Sequence, residues 1–218
     1  MTTRSFQFSL DEFYHVYNRG VEKRIIFLDE TDYMRFVELL YVVNTLVSID
    51  MREIRKSHEY IYEWDRGESL VDIGAYCLMP NHFHILLTPR QENGVSTFMN
   101  KLCTGYSMYF NRRYNRKGAL FEGKFKAKWC DSDEYLKYLY SYIHLNPVKL
   151  FQSDWKEQGI QDEDKAYQYA SSYKYSSLAD YTGASREENK IINNSSFPEY
   201  FKNHNDIKAE LMEWLKYE

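Results

Sequence analysis

The stretch VDIGAYCLMPNHFHILLT, residues 71–88, decides the fold. Val71 to Met79 and His82 to Thr88 are two runs of β-branched, aromatic and aliphatic residues joined by the tight connector MPN, a pattern that predicts a β-hairpin. Upstream, FYHVYN (13–18), closed by Arg19-Gly20, predicts another strand. Between them, DETDYMRFVELLYVVNTL opens at Asp29 and carries Tyr33, Phe36, Leu40, Val43 and Val47 at steps of three and four, which predicts an amphipathic helix with a capping start at Thr31. The polar residues 48–68 predict a helical extension or an excursion.

Working downstream, VSTFMNKLCTGYSMYFNRRYN predicts a second helix from about Gly94 to Asn115, its arginines placed where cations complement the helix dipole. ALFEGKFKAKWC predicts an extended segment that turns at Gly123 and runs as a strand to Cys130. Asp131 or Ser132 then caps a third helix, SDEYLKYLYSYIHLN, which must stop before Pro147. The order β–α–β–β–α–β–α predicts an α+β fold: a ferredoxin-like, split βαβ antiparallel sheet with helices on one face and an extra helix at its end. Residues 1–150 form this domain. Residues 151–218, with Tyr-rich and Asn-rich patches and a last amphipathic helix from about Asp206 to Lys216, read as an appended, partly helical C-terminal extension.

The composition, 44% hydrophobic and 28% charged over 218 residues, excludes a disordered, collagen-like or disulfide-stapled chain. Aromatics make up 17%, with 21 Tyr, residues that fill cores, stack on bases or act as nucleophiles. Cys77, Cys103 and Cys130 form no CxxC pair, and MTTRSFQFSLDEF lacks the layout of a signal peptide, so a reducing, cytoplasmic setting is expected. The best apolar run, FVELLYVVNTLV (36–47), is interrupted by Glu38 and Asn44, so no membrane partner is expected.

The net charge of −4 argues against a polyanion partner, but its distribution argues for one. Between Lys101 and Trp129 stand Lys101, Arg112, Arg113, Arg116, Lys117, Lys124, Lys126 and Lys128 against the single acid Glu122. This is the candidate phosphate-binding segment, with Arg19 at the end of the first strand as a further contact. Taken alone, such a run is as well explained by a solvated helix face. Tyr106, Tyr109 or Tyr114 is available for base stacking; Tyr106 and Tyr109 also suit the helix core, which is the better reading for Tyr106.

In a strand, His82 and His84 project from one face while Phe83, Ile85 and Leu87 fill the other, so the two imidazoles make half of a divalent metal site. A lone HxH is more often a pair of surface or core histidines. Leu86 and Leu87 exclude the HxHxDH pattern of metallo-β-lactamase-type hydrolases, and Leu86 also excludes a histidine triad. On the third helix, Leu136, Leu139 and Ile143 form the core stripe, with Tyr135, Tyr138, Tyr142 and Asn146 on a neighbouring flank. Tyr142 and Asn146 lie one turn apart, so a phenol and an amide share a face.

Four segments in order, YHVYNRG (14–20), AYCLMPNHFHILL (75–87), YFNRRYNRKGALFEGKFKA (109–127) and DEYLKYLYSYIHLNPVK (133–149), closely resemble the REP-associated tyrosine transposases, the transposase-like branch of the HUH single-tyrosine superfamily. The resemblance spans about residues 11–150. It implies that His82 and His84 are metal ligands, Asn146 the third ligand and Tyr142 the nucleophile, with Mg²⁺ or Mn²⁺ as cofactor. The implied activity is nicking and strand transfer on single-stranded, hairpin-bearing repetitive DNA through a 5′-phosphotyrosine, by a monomer or homodimer. A phenol with its ordinary pKa of about 10 is a poor nucleophile and needs a nearby metal or base; His144 and Tyr138 are close in sequence, but neither is a convincing base. Two further readings are a domesticated, non-cleaving nucleic-acid-binding protein and a replication initiator or relaxase with the same chemistry.

Overall fold

A computed structural model of the chain describes residues 6–201 and 203–217. Residues 1–5, on which part of the signal-peptide reading rests, lie outside the described residues. Four strands, β1 (Tyr14–Arg19), β2 (Val71–Met79), β3 (His82–Pro89) and β4 (Lys126–Trp129), form one sheet in the order β2-β3-β1-β4 with every pairing antiparallel. With the crossover helices α1 (Glu30–Val42) and α3 (Gly94–Arg113), this is the ferredoxin-like arrangement expected from the sequence. The cap of α1 differs from that expectation. Asp29, not Thr31, accepts the backbone N–H of Asp32, which starts the helix at Glu30.

Strand alternation divides the molecule. Val16, Tyr76, Leu78, Phe83, Ile85 and Leu87 point to one side of the sheet, where α1 supplies Phe36 and Leu40 and α3 supplies Phe98, Met99, Leu102 and Tyr106. Each large side chain buried there is worth about 1.5–3 kcal/mol. The polar excursion joins this side: α2 (Met51–Ser57) and the 3-10 turn Ile61–Glu63 bury Ile54, Ile61 and Tyr62 in the same cluster. Helix α1 ends at Val42, short of the Val47 expected from the apolar spacing; Asn44, just beyond it, is fully buried and pins the start of β2: its Oδ1 accepts from Leu70 and Val71, and its Nδ2 donates to the Val71 carbonyl.

The expectation of helices on one face holds for the two crossover helices. The third long helix, α4 (Asp133–Leu145), capped by Ser132, covers the opposite face, where Ala75, Cys77, Met79 and Leu86 meet Leu136, Leu139 and Ile143. The physical reason is that β2 and β3 are apolar on both faces over these residues, so one layer of helices would leave half of that surface in water.

Helix α5 (Val148–Phe151) straddles the boundary at 150, and the chain then runs through α6 (Trp155–Gln158), α7 (Glu163–Ser172), α8 (Leu178–Tyr181) and α9 (His204–Tyr217). It covers the open edge of β2: Leu78 donates to the Tyr175 carbonyl, Ser177 to that of Tyr76 and Asn193 to that of Ile73. Backbone groups that an edge strand would expose are paired in this way. Gly74, at a break in the β2–β3 register, leaves room for the Phe197 ring, which a Cβ there would meet at 2.8 Å. Trp155, Ala166, Ala170, Leu178, Ile207, Leu211 and Leu215 build a further apolar cluster with Leu145 and Val148.

Candidate active site

The face of the sheet under α4 carries the chemistry-bearing residues. His82 and His84 lie on β3, and the register sets His84 opposite Tyr17 and His82 opposite Arg19. Strand β4 sets Lys126 opposite Tyr17 and Lys128 opposite His15. Residues directly opposite share a face, so His15, Tyr17, Arg19, Lys126 and Lys128 all belong to this side.

The His82 and His84 rings are 5.0 Å apart. Burial, reinforced by the Lys149 and Arg19 charges, pushes His82 down to about 4. Burial, with His15, His82 and Lys149 adding to it, holds His84 well below its ordinary value. Both are therefore neutral at pH 7, the form that ligates metal. The His82 tautomer follows from its neighbours. Asn81 donates its Nδ2 to the Lys23 carbonyl, which turns its Oδ1 toward His82 Nδ1 at 2.6 Å. The proton then sits on Nδ1, and Nε2 keeps its lone pair.

On α4 the sequence Asn146-Pro147 orients the amide. Pro147 has no N–H to donate back into the helix, and the Asn146 backbone N–H turns to the Ile143 carbonyl at 3.4 Å. The Asn146 side chain then donates its Nδ2 to the Tyr142 carbonyl at 2.7 Å. Its Oδ1 is left buried without a hydrogen-bond partner. Such an oxygen carries a desolvation cost unless something binds it. Among the described residues no three His, Cys, Asp or Glu side chains are grouped to hold a metal ion. Two neutral imidazoles and one orphaned amide oxygen are donors suited to a divalent ion.

Tyr142 is half-buried, with its ring 5.4 Å from His84 and 5.9 Å from His15. It lines a small cavity with Tyr138, Ser141, Leu145, Asn146, Lys149, Trp155 and Trp214. Tyr138, one turn earlier, packs instead on Trp214 at 4.8 Å. His144 is fully buried with its Nε2 on the Ser177 hydroxyl.

The basic residues are dispersed. Arg19 and Lys126 lie on the site face, although Arg19 pairs with Glu122. Arg112, Arg113 and Arg116 lie at the end of α3, on the other side of the sheet. There Arg113 is committed to Asp29 and to fully buried Asp32, and Arg116 donates to Asn111. Lys117 and Lys124 are exposed in the connection to β4. The stacking tyrosines do not reach the site. Tyr106 is buried with its hydroxyl donating to the Ile26 carbonyl, and Tyr109 and Tyr114 both donate to Asp32.

Three site residues escaped the sequence reading. His15 and Tyr17 were marked by strand alternation in YHVYN, but their nearness to His84 depends on the β1–β3 pairing. Lys149, in the last of the four motifs, lines the Tyr142 cavity, and its charge acts on both β3 histidines.

Among the described residues no helix is long and apolar enough to cross a membrane. No curated protein matches the chain. Thirteen chains of solved structures do. One is a REP-associated tyrosine transposase bound to a REP hairpin, with a TM-score of 0.51 and 13% identity over 86% of this chain and 90% of that one. At that identity the likeness shows the fold. A model of the IS200-like transposases matches residues 37–146, half of the sequence, and includes His82, His84, Tyr142 and Asn146; the chain belongs to the IS200-like transposase family.

Proposed function

We propose that this transposase nicks and rejoins single-stranded DNA beside a hairpin through a covalent 5′-phosphotyrosine on Tyr142, with residues 1–150 as the catalytic domain and 151–218 as an extension. The observation that carries the reading is the half-buried Tyr142 ring, 5.4 Å from a neutral His84 and one turn from an orphaned amide oxygen. His82, His84 and Asn146 are the ligand set. An Mg²⁺ or Mn²⁺ ion held by them supplies Lewis-acid polarisation of the scissile phosphate.

The Tyr142 oxygen attacks phosphorus in line and loses its proton. The bond to the 3′-oxygen breaks, that oxygen takes up a proton, and a free 3′-OH results. Rejoining reverses the exchange: a 3′-OH attacks the phosphotyrosine and Tyr142 leaves, so no nucleotide cofactor is consumed. Lys149 and Lys126 lie where they can hold the phosphates entering and leaving this point, with Arg19 available once it releases Glu122. Arg112, Arg116, Lys117 and Lys124 form a more distant arm for the duplex stem. The REP-hairpin complex of the structurally similar transposase supports a hairpin substrate. Three unpaired cysteines support a reducing, cytoplasmic setting.

The test is incubation of labelled hairpin DNA with the protein and Mn²⁺, followed by denaturing electrophoresis. An SDS-stable adduct that disappears with chelator is expected. Salt-sensitive binding with no adduct at any metal concentration would overturn the reading in favour of a non-cleaving DNA-binding protein.

A further inference from the structure

His15 has no place in the ligand set, yet it is one of the most closely held groups in the site. It is 6% exposed, its Nε2 lies 2.8 Å from His84 Nδ1, and the two rings stack at 5.0 Å. Two imidazole nitrogens at that distance share one proton: one donates and the other accepts. His84 has two nitrogens, and the one facing His15 is Nδ1, which leaves Nε2 for a ligand. An imidazole that binds metal through Nε2 carries its proton on Nδ1. His84 must then be the donor and His15 Nε2 the acceptor.

We infer that His15 is a positioning residue that holds His84 in the Nδ1–H tautomer and in the ring orientation that frees Nε2 for the divalent ion. The inference rests on the ligand set proposed above. The neighbouring histidine is handled in a parallel way, since His82 Nδ1 meets Asn81 Oδ1 at 2.6 Å. Each β3 histidine thus has its own acceptor, a side-chain amide for one and an imidazole for the other. Metal-bound histidines depend on such partners, and removing one costs 10–100-fold in metal affinity. His15 is also packed between two aromatic rings, Tyr17 at 5.0 Å and Tyr142 at 5.9 Å.

Two variants separate the acceptor from the bulk. His15→Phe keeps a ring against Tyr17 and Tyr142 but removes the acceptor, and His15→Gln restores an acceptor oxygen near the position of Nε2. The first readout is the imidazole nitrogen spectrum of ¹⁵N-histidine-labelled, metal-free protein. The wild type should show His84 with its proton on Nδ1, and H15F should lose that signature. The second is Mn²⁺ affinity from the electron paramagnetic resonance of free Mn²⁺, without DNA. H15F should raise Kd by about 10–100-fold, and H15Q should stay near the wild type.

A wild-type His84 protonated on Nε2, an H15F protein that binds Mn²⁺ as tightly as the wild type, or an H15Q protein as weak as H15F would each overturn the inference. Wild-type protein that binds Mn²⁺ and responds to H15F as stated, but forms no DNA adduct, would refute the nicking reaction and leave His15 in its role. Wild-type protein that binds no Mn²⁺ would overturn the ligand set and this inference together.

Discussion

On one side of β3, Phe83, Ile85 and Leu87 meet Phe36, Phe98 and Tyr106 in a continuous apolar layer; on the other, His82 and His84 meet His15, Tyr17 and Tyr142. Tyr106 and Tyr142 are the same residue type on opposite sides of one sheet. The hydroxyl of Tyr106 is spent on the Ile26 carbonyl, and burial pushes its pKa up. Tyr142 lines a cavity with an unpartnered amide oxygen beside it. The lesson is that in a chain with 21 tyrosines, reactivity is assigned by what surrounds the hydroxyl. Of these two tyrosines, one has its hydroxyl taken up by the fold, and the other stands beside an amide oxygen left for a ligand.

The strongest way to break this contrast is to remove one oxygen from each tyrosine. Tyr142→Phe should abolish the covalent DNA adduct while circular dichroism and DNA binding stay unchanged. Tyr106→Phe should leave the adduct intact and cost about 1–3 kcal/mol of stability, because the Ile26 carbonyl loses its donor. Tyr138→Phe and Tyr17→Phe should retain the adduct. An adduct that persists in Tyr142→Phe, mapped to either neighbour by peptide sequencing, would move the nucleophile.

The next test strikes the face that carries no chemistry. The fully buried Asp32 carboxylate accepts from the Leu28 backbone, the Tyr109 and Tyr114 hydroxyls and Arg113. Asp32→Ala leaves these donors unpaired, so urea unfolding should show a loss of about 3–5 kcal/mol. Adduct formation by the folded fraction should be unchanged. A loss below 1 kcal/mol would mean that this cluster is not what holds the ends of α1 and α3 together.

A smaller effect should appear with acid. His144 lies on the side of α4 turned toward the extension, and burial, with a contribution from Arg186, pushes its pKa from 6.5 to about 3. Below about pH 6.5 the unfolded chain therefore binds a proton that the native state refuses. The stability this group contributes is present above that pH and is lost as pH falls toward 3, at up to about 1.4 kcal/mol per pH unit. His144→Gln, studied metal-free, should flatten the fall of the unfolding free energy with acid, read from urea titrations, by up to that amount. An unchanged slope would show that His144 titrates normally.

The smallest expected effect concerns which lysines and arginines meet DNA. Lys126 and Lys128 lie on the site face, whereas Arg113 already neutralises Asp29 and Asp32 on the other side. Replacing both lysines by Gln should lower the slope of log K against log salt for single-stranded DNA by about 1.4, and Arg113→Gln should leave it unaltered. Equal changes would erase the distinction between the faces.

Much of this was legible in the residues. The hairpin at 71–88 follows from its alternation and its MPN turn, and that alternation puts His82 and His84 on one face. Tyr142 and Asn146 share a helix flank because they are four apart. What was not legible involves partners far away in the chain. Arg113 reads as a phosphate-binding cation until Asp29 and Asp32, 84 and 81 residues distant, take it up. His15 reads as an ordinary strand residue until β1 pairs with β3 and sets it against His84, 69 residues away.

The amino-acid sequence by itself determined the order of the elements and which side chains share a face within each one. Those relations are set by backbone geometry over two to four residues, and they hold except at Gly74 in β2, where the break in register shifts the alternation. Only the tertiary structure decided that α4 lies against the face opposite α1 and α3, and that the amide oxygen of Asn146 is left without a donor. It also decided that one basic residue is spent on a buried carboxylate while others face the site. Each of those outcomes depends on which distant surfaces meet, and that is settled by burying the apolar area of both sheet faces at once, a balance struck by the whole chain.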